Sequence, residues 1–349
     1  MFNNTNKTIL LTGTAGFIGS NFVPYFLEKY SGYNLINLDL LTYAGELQNL
    51  KECETNPQYK FIKGDICNRE LVEFIFKEYD IIGVIHFAAE SHVDNSIKNT
   101  GVFVQTNVNG TYSLVDVAKK YWMDKPFVYK NGYENCRFHH ISTDEVYGTL
   151  SDDPNDLFKE TTPYSPNSPY SASKASSDMI IRSYVETFGM NCVITNCSNN
   201  YGPKQHDEKL IPVIIRKALT GKNIPIYGDG KNIRDWLYVL DHCKGIDLVY
   251  HNGKKGETYN IGGRNERTNL QIVNKICEIL DSKLHKETSY KELITFVEDR
   301  AGHDRRYAID ATKIESELGW KADENFDSGI IKTIDWYIEK YKNQKESNV

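Results

Sequence analysis

Six short runs of apolar and β-branched residues, at 8–12, 33–38, 59–63, 81–87, 137–142 and 191–195, alternate with helical patterns over the first 196 or so positions. Strands separated by helices pair in parallel, because a crossover must carry the chain back to the same end of the sheet. Several runs are apolar without a period of two, as strands covered on both faces should be, and these belong centrally in the sheet. After Tyr201 the rhythm loosens into Gly- and Pro-bearing connections, short strands, and helices such as 271–280 and 328–341. This predicts a first region over 1–200 and a smaller one over 201–349. Further strand and helix signals within 234–310 predict that part of that stretch returns to the first sheet.

Directly after the first run comes Gly13-Thr14-Ala15-Gly16-Phe17-Ile18-Gly19, followed by a helical pattern over 17–30. Small residues there let the backbone turn tightly and approach a pyrophosphate, whose charge then sits on the helix N-terminus. Asp39 ends the next strand, about 20 residues on, where an acid binds the adenosine ribose hydroxyls and repels a 2′-phosphate. Gly64-Asp65-Ile66 and Ala88-Ala89-Glu90-Ser91 follow the third and fourth strands, again at the carboxyl edge where ligands of open α/β sheets lie. Any one of these turns is unremarkable alone. Together they predict an α/β chain with a Rossmann-type, doubly wound parallel sheet binding NAD rather than NADP, and a smaller C-terminal α/β region for substrate.

At 349 residues, 40% hydrophobic and 25% charged, the chain has material for one large or two ordinary domains. A net charge of -6 and a pI near 5.9 leave no basic surplus for nucleic acid. Seven scattered cysteines without a C-x-x-C pair suit reduced thiols. A polar start over 1–7 without a signal pattern, and the absence of an apolar run of about 18 residues, predict a cytoplasmic chain with no membrane partner. No metal is expected.

Tyr170 and Lys174 lie one helical turn apart in Pro169-Tyr170-Ser171-Ala172-Ser173-Lys174, so they share a face. A nearby ammonium and a nicotinamide cation would lower the tyrosine from its usual pKa of about 10. The phenolate then takes a hydroxyl proton while hydride leaves carbon. Tyr and Lys at this spacing occur by chance on many helices; beside a dinucleotide fold the catalytic reading gains. Ser142-Thr143-Asp144-Glu145-Val146-Tyr147-Gly148 follows the fifth run. Simple alcohol oxidation has no use for two adjacent carboxyls, but elimination next to a ketone does: one removes a proton and the other, protonated, donates to the departing hydroxyl. The bland alternative is an acidic pair that caps a turn.

At these residues the chain resembles the extended short-chain dehydrogenase/reductase superfamily, and within it the dTDP-glucose 4,6-dehydratases, from Lys7 to about Tyr337. The passages that carry the resemblance are 41–45 (LTYAG), 88–96 (AAESHVDNS), 142–148 (STDEVYG), 168–178 (SPYSASKASSD), 199–203 (NNYGP), 208–212 (EKLIP), 234–239 (RDWLYV) and 302–310 (GHDRRYAID). The resemblance implies a redox-neutral lyase of deoxysugar biosynthesis. Tyr170 would oxidise the C4 hydroxyl, with Lys174 tuning it and Thr143 bonding the same oxygen. Glu145 would take the C5 proton, Asp144 would protonate the C6 hydroxyl, and hydride would return to C6. It assigns NAD contacts to Gly13, Gly16, Phe17, Ile18, Gly19, Asp39, Thr42, Asp65, Ile66, Ala88, Ala89, Thr106, Tyr170 and Lys174. Nucleotide-sugar contacts fall on Ser91, Thr143, Asn199, Lys209, Leu210, Pro225, Tyr227, Arg234, Asn269, Arg300 and His303. Lys209, Arg234 and Arg300 suit a diphosphate physically, although a single Lys or Arg is by default a surface charge. His303 could equally be structural, and Tyr227 could pack rather than stack.

The chain departs from the family's pattern at Leu40, where a basic residue is usual, at 204–207 (KQHD), expected to bear on the nucleotide, at Ala301 in place of proline, and in a short 149–169 loop. Sister dehydratases of UDP-, CDP- or GDP-sugars and 4-epimerases share the glycine motif and the Tyr-Lys pair; an epimerase needs no acidic pair. A non-catalytic NAD-binding regulator on the same fold would be expected to lose these groups. The resemblance further implies a homodimer built on helices around 102–119 and 170–188, whose apolar Phe103, Val115, Met179, Ile180 and Tyr184 could as well pack within one subunit.

Overall fold

In the computed structural model, which describes residues 2, 6–285, 287–299 and 304–346 with side chains to 343, the first strand β1 (Lys7–Thr12) buries Ile9, Leu10 and Leu11 completely. Leu10 packs into one apolar layer, and its neighbours Ile9 and Leu11 pack into another on the opposite face. A strand covered on both sides has no polar face to show, hence the missing alternation. With β2 (Tyr33–Asp39), β3 (Tyr59–Lys63), β4 (Ile81–His86), β5 (Arg137–Thr143), β6 (Cys192–Cys197) and β7 (Thr258–Ile261), β1 forms a seven-stranded sheet ordered β7-β6-β5-β4-β1-β2-β3. Every pairing in it is parallel. The half-exposed β3 ends the sheet.

One layer consists of α1 (Phe17–Lys29) and, at the far end of the chain's excursion, the helix Val239–Asn252; Phe22, Val23, Phe26, Val239, Cys243 and Ile246 meet the sheet there. The other layer consists of α2 (Arg69–Tyr79), α3 (Thr111–Trp122) and α4 (Pro169–Phe188). A wide, π-type turn, Val104–Gly110, leads into α3. Asn107 points inward there, accepting from the Glu90 amide at 2.8 Å and donating to the Ser173 hydroxyl at 2.9 Å. Phe103, Val115 and Tyr184 are buried within the subunit and Ile180 partly so, whereas Met179 is exposed.

The smaller region is built on strand Ile233–Tyr238, which pairs with Glu266–Thr268, Arg306–Tyr307 and Asn199–Tyr201. Ile224–Tyr227 pairs separately with Ile294–Val297. Helices Leu210–Leu219, Asn269–Leu284 and Phe326–Glu346 close a second core around Ile214, Ile215, Ile276 and Ile334. Between these pieces the chain runs back through Val239–Asn252 and β7 to the first sheet, so no single cut near 200 separates the two regions.

The connection after β5 is held by a buried arginine. Arg306 donates to the backbone carbonyls of Ser151, Asp153 and Asp156 and pairs with both oxygens of Glu266 at 2.8 and 3.0 Å. Truncating one partner of such a group leaves the others desolvated and unpaired. Arg306→Met is expected to lower the unfolding free energy by about 3 kcal/mol, measured by urea denaturation, and to make the 149–160 segment the first cleaved in limited proteolysis.

Candidate active site

β1 and β2 lead the chain one way across the sheet and β4 the other, which opens a crevice at their carboxyl ends. Gly13 enters it at φ +71°, where a Cβ would lie 2.4 Å from Ala88 Cα, so glycine is required for both reasons. A Cβ on Gly19 would likewise meet Thr14 Cα at 2.4 Å, so the helix sits directly on the loop. Gly16 is the N-cap of α1 and offers no side-chain cap, which leaves the first-turn amides of Phe17, Ile18 and Gly19 directed at an anion. Asp39 stands at the end of β2, its two oxygens accepting the Ala15 and Leu41 amides at 2.8 Å each. The acid therefore shapes the glycine loop as well as facing the cleft. A dinucleotide fits this cradle: glycines where a side chain would clash, uncapped amides, and a carboxylate at the ribose position.

The same cleft, of about 320 Å³, takes in Thr42, Asp65, Ile66, Ala88, Ala89 and Thr106, and continues to Thr143, Asp144, Glu145, Tyr170 and Lys174. Local structure sets the second group. Thr143 ends β5 and caps the short turn Asp144–Tyr147, its hydroxyl accepting the Glu145 amide at 3.3 Å. α4 starts with a capping box between Ser168 and Ser171 and with Pro169 in the first turn, which fixes Tyr170 and Lys174 on the inward face.

Burial dominates the electrostatics here. Asp144 is buried, and burial, followed by the negative charges of Glu145 and Asp235, pushes its carboxyl well above the usual range; Arg234 and the Thr143 hydroxyl oppose this. Its Oδ2 is enclosed with no hydrogen-bond partner among the described residues. Asp144 is thus a carboxyl group biased toward its neutral acid form, next in sequence to a half-buried Glu145. Lys174 is lowered by burial to about 8, against the pull of Asp178. Its Nζ donates to the Ile141 carbonyl at 2.8 Å. Tyr170 is raised: burial, followed by Glu145, the Cys197 sulfur and the Asp144 carboxyl, outweighs the Thr143 hydroxyl. The lowering expected from the sequence included a nicotinamide cation in the cleft, and protein groups alone supply mainly desolvation and negative charge.

Ser91, Asn199 and Lys209 line the cleft, with Lys209 Nζ on the Ser91 carbonyl at 3.2 Å. Leu210, Pro225, Tyr227, Arg234 and Asn269 stand on the smaller region, outside its lining. Tyr227 is exposed on Ile224–Tyr227. Leu210 and Asn269 each begin a helix. Arg234 is buried against the Asp304 carbonyl at 2.8 Å and over the Tyr307 ring at 4.3 Å. Arg300, Ala301 and His303 lie outside the described residues. The 204–207 departure faces the cofactor side and the last helix: Lys204 reaches the Ser20 carbonyl and Glu52, His206 stands edge-on to Tyr43, and Asp207 pairs with Lys340. Sequence reasoning missed Glu90 and Glu208 in the lining, and His140 and Asp178 behind Lys174. The spacing of Asp178, one turn beyond Lys174, was the available signal, since a buried ammonium requires a counter-charge.

A family model described as GDP-mannose 4,6 dehydratase matches residues 10–333. The dTDP-glucose 4,6-dehydratase of Salmonella typhimurium is 53% identical over 95% of this chain and 92% of that protein. Among solved structures, the dTDP-glucose 4,6-dehydratase of Bacillus anthracis in complex with NAD superposes with a TM-score of 0.84 at 47% identity, over 96% of this chain and 98% of that one. DesIV, the dTDP-glucose 4,6-dehydratase of Streptomyces venezuelae, with NAD bound, gives 0.86 at 41% identity over the same shares.

The neutral state of Asp144 can be observed directly. The infrared difference spectrum of wild-type protein minus Asp144→Asn at pH about 7 should contain the carbonyl stretch of a protonated carboxylic acid. A difference showing only carboxylate bands would mean that Asp144 is ionised.

Proposed function

This chain belongs to the dTDP-glucose 4,6-dehydratases, within the family whose model is described as GDP-mannose 4,6 dehydratase, and from that premise we propose that it converts dTDP-glucose to dTDP-4-keto-6-deoxyglucose and water. The observation that carries the reading is the buried Asp144, its Oδ2 enclosed and its carboxyl pushed toward the neutral form, beside Glu145 in the cleft that holds Tyr170 and Lys174. Alcohol oxidation alone, or epimerisation, has no use for a second acid there. The glycine loop and Asp39 would hold NAD, which would supply a recycled hydride acceptor, so that no external oxidant would be consumed.

The residues divide the work by protonation state. Tyr170 accepts the C4 hydroxyl proton, with Thr143 bonding the same oxygen. The Lys174 ammonium offsets the desolvation that otherwise keeps the phenol protonated. With C4 oxidised, the neighbouring C5 hydrogen is acidic, and Glu145 removes it. Asp144, kept neutral by its surroundings, donates its proton to the C6 hydroxyl, which leaves as water. Two carboxyls one residue apart differ in role because one is enclosed and the other is half-open to the cleft.

In this reading the first sheet with its returning strand β7 holds the cofactor, and the smaller region holds the nucleotide sugar through Lys209, Arg234 and the neighbours that the family resemblance assigns. No helix of the described residues is long and apolar enough to cross a membrane, and the seven cysteines are all unpaired; both fit a cytoplasmic enzyme. Ile97, Val102, Val104, Tyr112 and Met179 are exposed on neighbouring segments around α3 and α4, which supports a homodimer joined there.

Purified protein offered dTDP-glucose, UDP-glucose, CDP-glucose and GDP-mannose in parallel is expected to release one water from dTDP-glucose alone, read by product mass and by the alkaline absorbance of the keto sugar. Turnover of another nucleotide sugar instead would move the function to a sister enzyme, and turnover of none would favour a non-catalytic role. Glu145→Gln and Asp144→Asn should each lower turnover by about 10²–10⁴-fold with NAD retained, and Tyr170→Phe should abolish the transient NADH absorbance. For the assembly, Tyr112→Glu with Met179→Glu should halve the mass measured by light scattering; an unchanged dimer would place the interface elsewhere.

A further inference from the structure

Behind the floor of the cleft lies a group of titratable side chains that the elimination does not use. Asp178 sits one turn beyond Lys174 on α4 and is fully buried. Its Oδ2 accepts the hydroxyls of Ser142 and Tyr164 at 2.8 and 3.0 Å. Its Oδ1 faces His140 Nε2 at 3.1 Å, and the same nitrogen lies 3.5 Å from Lys174 Nζ. The imidazole therefore stands between the ammonium and the carboxylate.

The neighbouring elements contribute little competing charge. Burial holds His86 of β4 and His140 of β5 neutral, well below the usual histidine range. The Cys197 thiol of β6 is pushed up to about 12 by burial. Tyr164 of the connecting loop, Tyr147 of the turn after β5 and Tyr170 on α4 are all raised by burial and remain phenols. Asp144 is pushed toward its neutral form, and Glu145 acts on Tyr170 and Asp144 from the cleft side. Asp178 is the carboxylate whose charge reaches Lys174 from behind, across the His140 imidazole. An ammonium without a counter-charge in such a place would lose its proton or leave its seat.

Building on the Tyr170–Lys174 reading above, we propose that Asp178 is a positioning residue for the oxidation step: with His140 it keeps the Lys174 ammonium charged and seated on the Ile141 carbonyl, where it can favour proton loss from Tyr170. Lys174 titrates at about 8 with Asp178 in place, and Asp178 itself is raised by burial to about 6. Between those two values both groups are mainly charged. Removing the carboxylate removes the influence that raises Lys174, so the ammonium is lost at lower pH.

The test is stopped-flow formation of NADH by the NAD-loaded enzyme on dTDP-glucose, from about pH 6 to about pH 9. Asp178→Asn should move the alkaline limb down by about one pH unit, a roughly fivefold loss at pH about 8 that approaches tenfold near pH 9, with little change near pH 6. NAD retention should be unchanged, and Asp178→Glu should restore much of the limb. Equal loss at every pH, or an unmoved limb, would overturn the proposal. Should Asp178→Asn fail to fold, Tyr164→Phe weakens the same carboxylate by one donor and should move the limb the same way by less; an unmoved limb there counts equally against it. A wild-type enzyme that forms no NADH would overturn the Tyr170–Lys174 reading, and this inference with it.

Discussion

The approach of Gly13 to Ala88 is the contact on which the rest of the structure depends. At that point β1 and β4 deliver their chains to the crevice, and no side chain can stand between them. Backbone closeness there lets α1 begin at Phe17, with its uncapped amides aimed into the cleft. It also lets Asp39 reach across from β2 to hold Ala15. From the neighbouring carboxyl end of β5 come Thr143, Asp144 and Glu145, and α4 lays Tyr170 and Lys174 over the same edge. Cofactor cradle and acid pair share one crevice because one topological reversal made it.

Removal from water then does most of the chemistry's preparation. Desolvation is the largest influence on Asp144, Tyr170 and Lys174 alike, yet it moves them in different senses, since it penalises whichever form carries charge. For Asp144 the result is useful at once, because a neutral acid is what a departing hydroxyl needs. For Tyr170 it is the wrong direction for a base, and positive charge must correct it. That contrast assigns a purpose to the buried lysine and to whatever keeps the lysine charged.

Much of this was legible in the residues. All six apolar runs became strands of the main sheet, with bounds moved by a residue or two, because strands buried on both faces leave a strong apolar signature. The helix start at Phe17 was legible in the glycine run before it, whereas the capping box of Ser168 and Ser171 that starts α4 at Pro169 was not read from the residues. What could not be read was spatial. β7 joins the edge of the first sheet more than 60 residues after β6, and no local pattern says which edge a late strand will take. The raised pKa of Tyr170 depends on the surrounding enclosure, and the partnership of Asp178 with His140 depends on two elements meeting. The 204–207 residues make their contacts with Ser20, Glu52, Tyr43 and Lys340, and Gln205 and His206 line the cleft as well, placements that no local pattern shows.

The acid's environment also explains why the two regions cannot be treated as a cofactor module with a detachable substrate module. Strand Ile233–Tyr238 carries Arg234 and Asp235, which act on Asp144 with opposite signs. Asp235 is fixed by the amides of Gly263 and Asn265, and Arg234 by the backbone carbonyls of Asp304 and Arg305 together with the Tyr307 ring. The same strand runs directly into Val239–Asn252, where Asp247 gathers the Tyr25 and Tyr30 hydroxyls and the Lys29 ammonium at the far end of α1. One continuous stretch therefore sets the charge balance around Asp144 and anchors itself to the helix whose other end lines the cleft at the glycine loop.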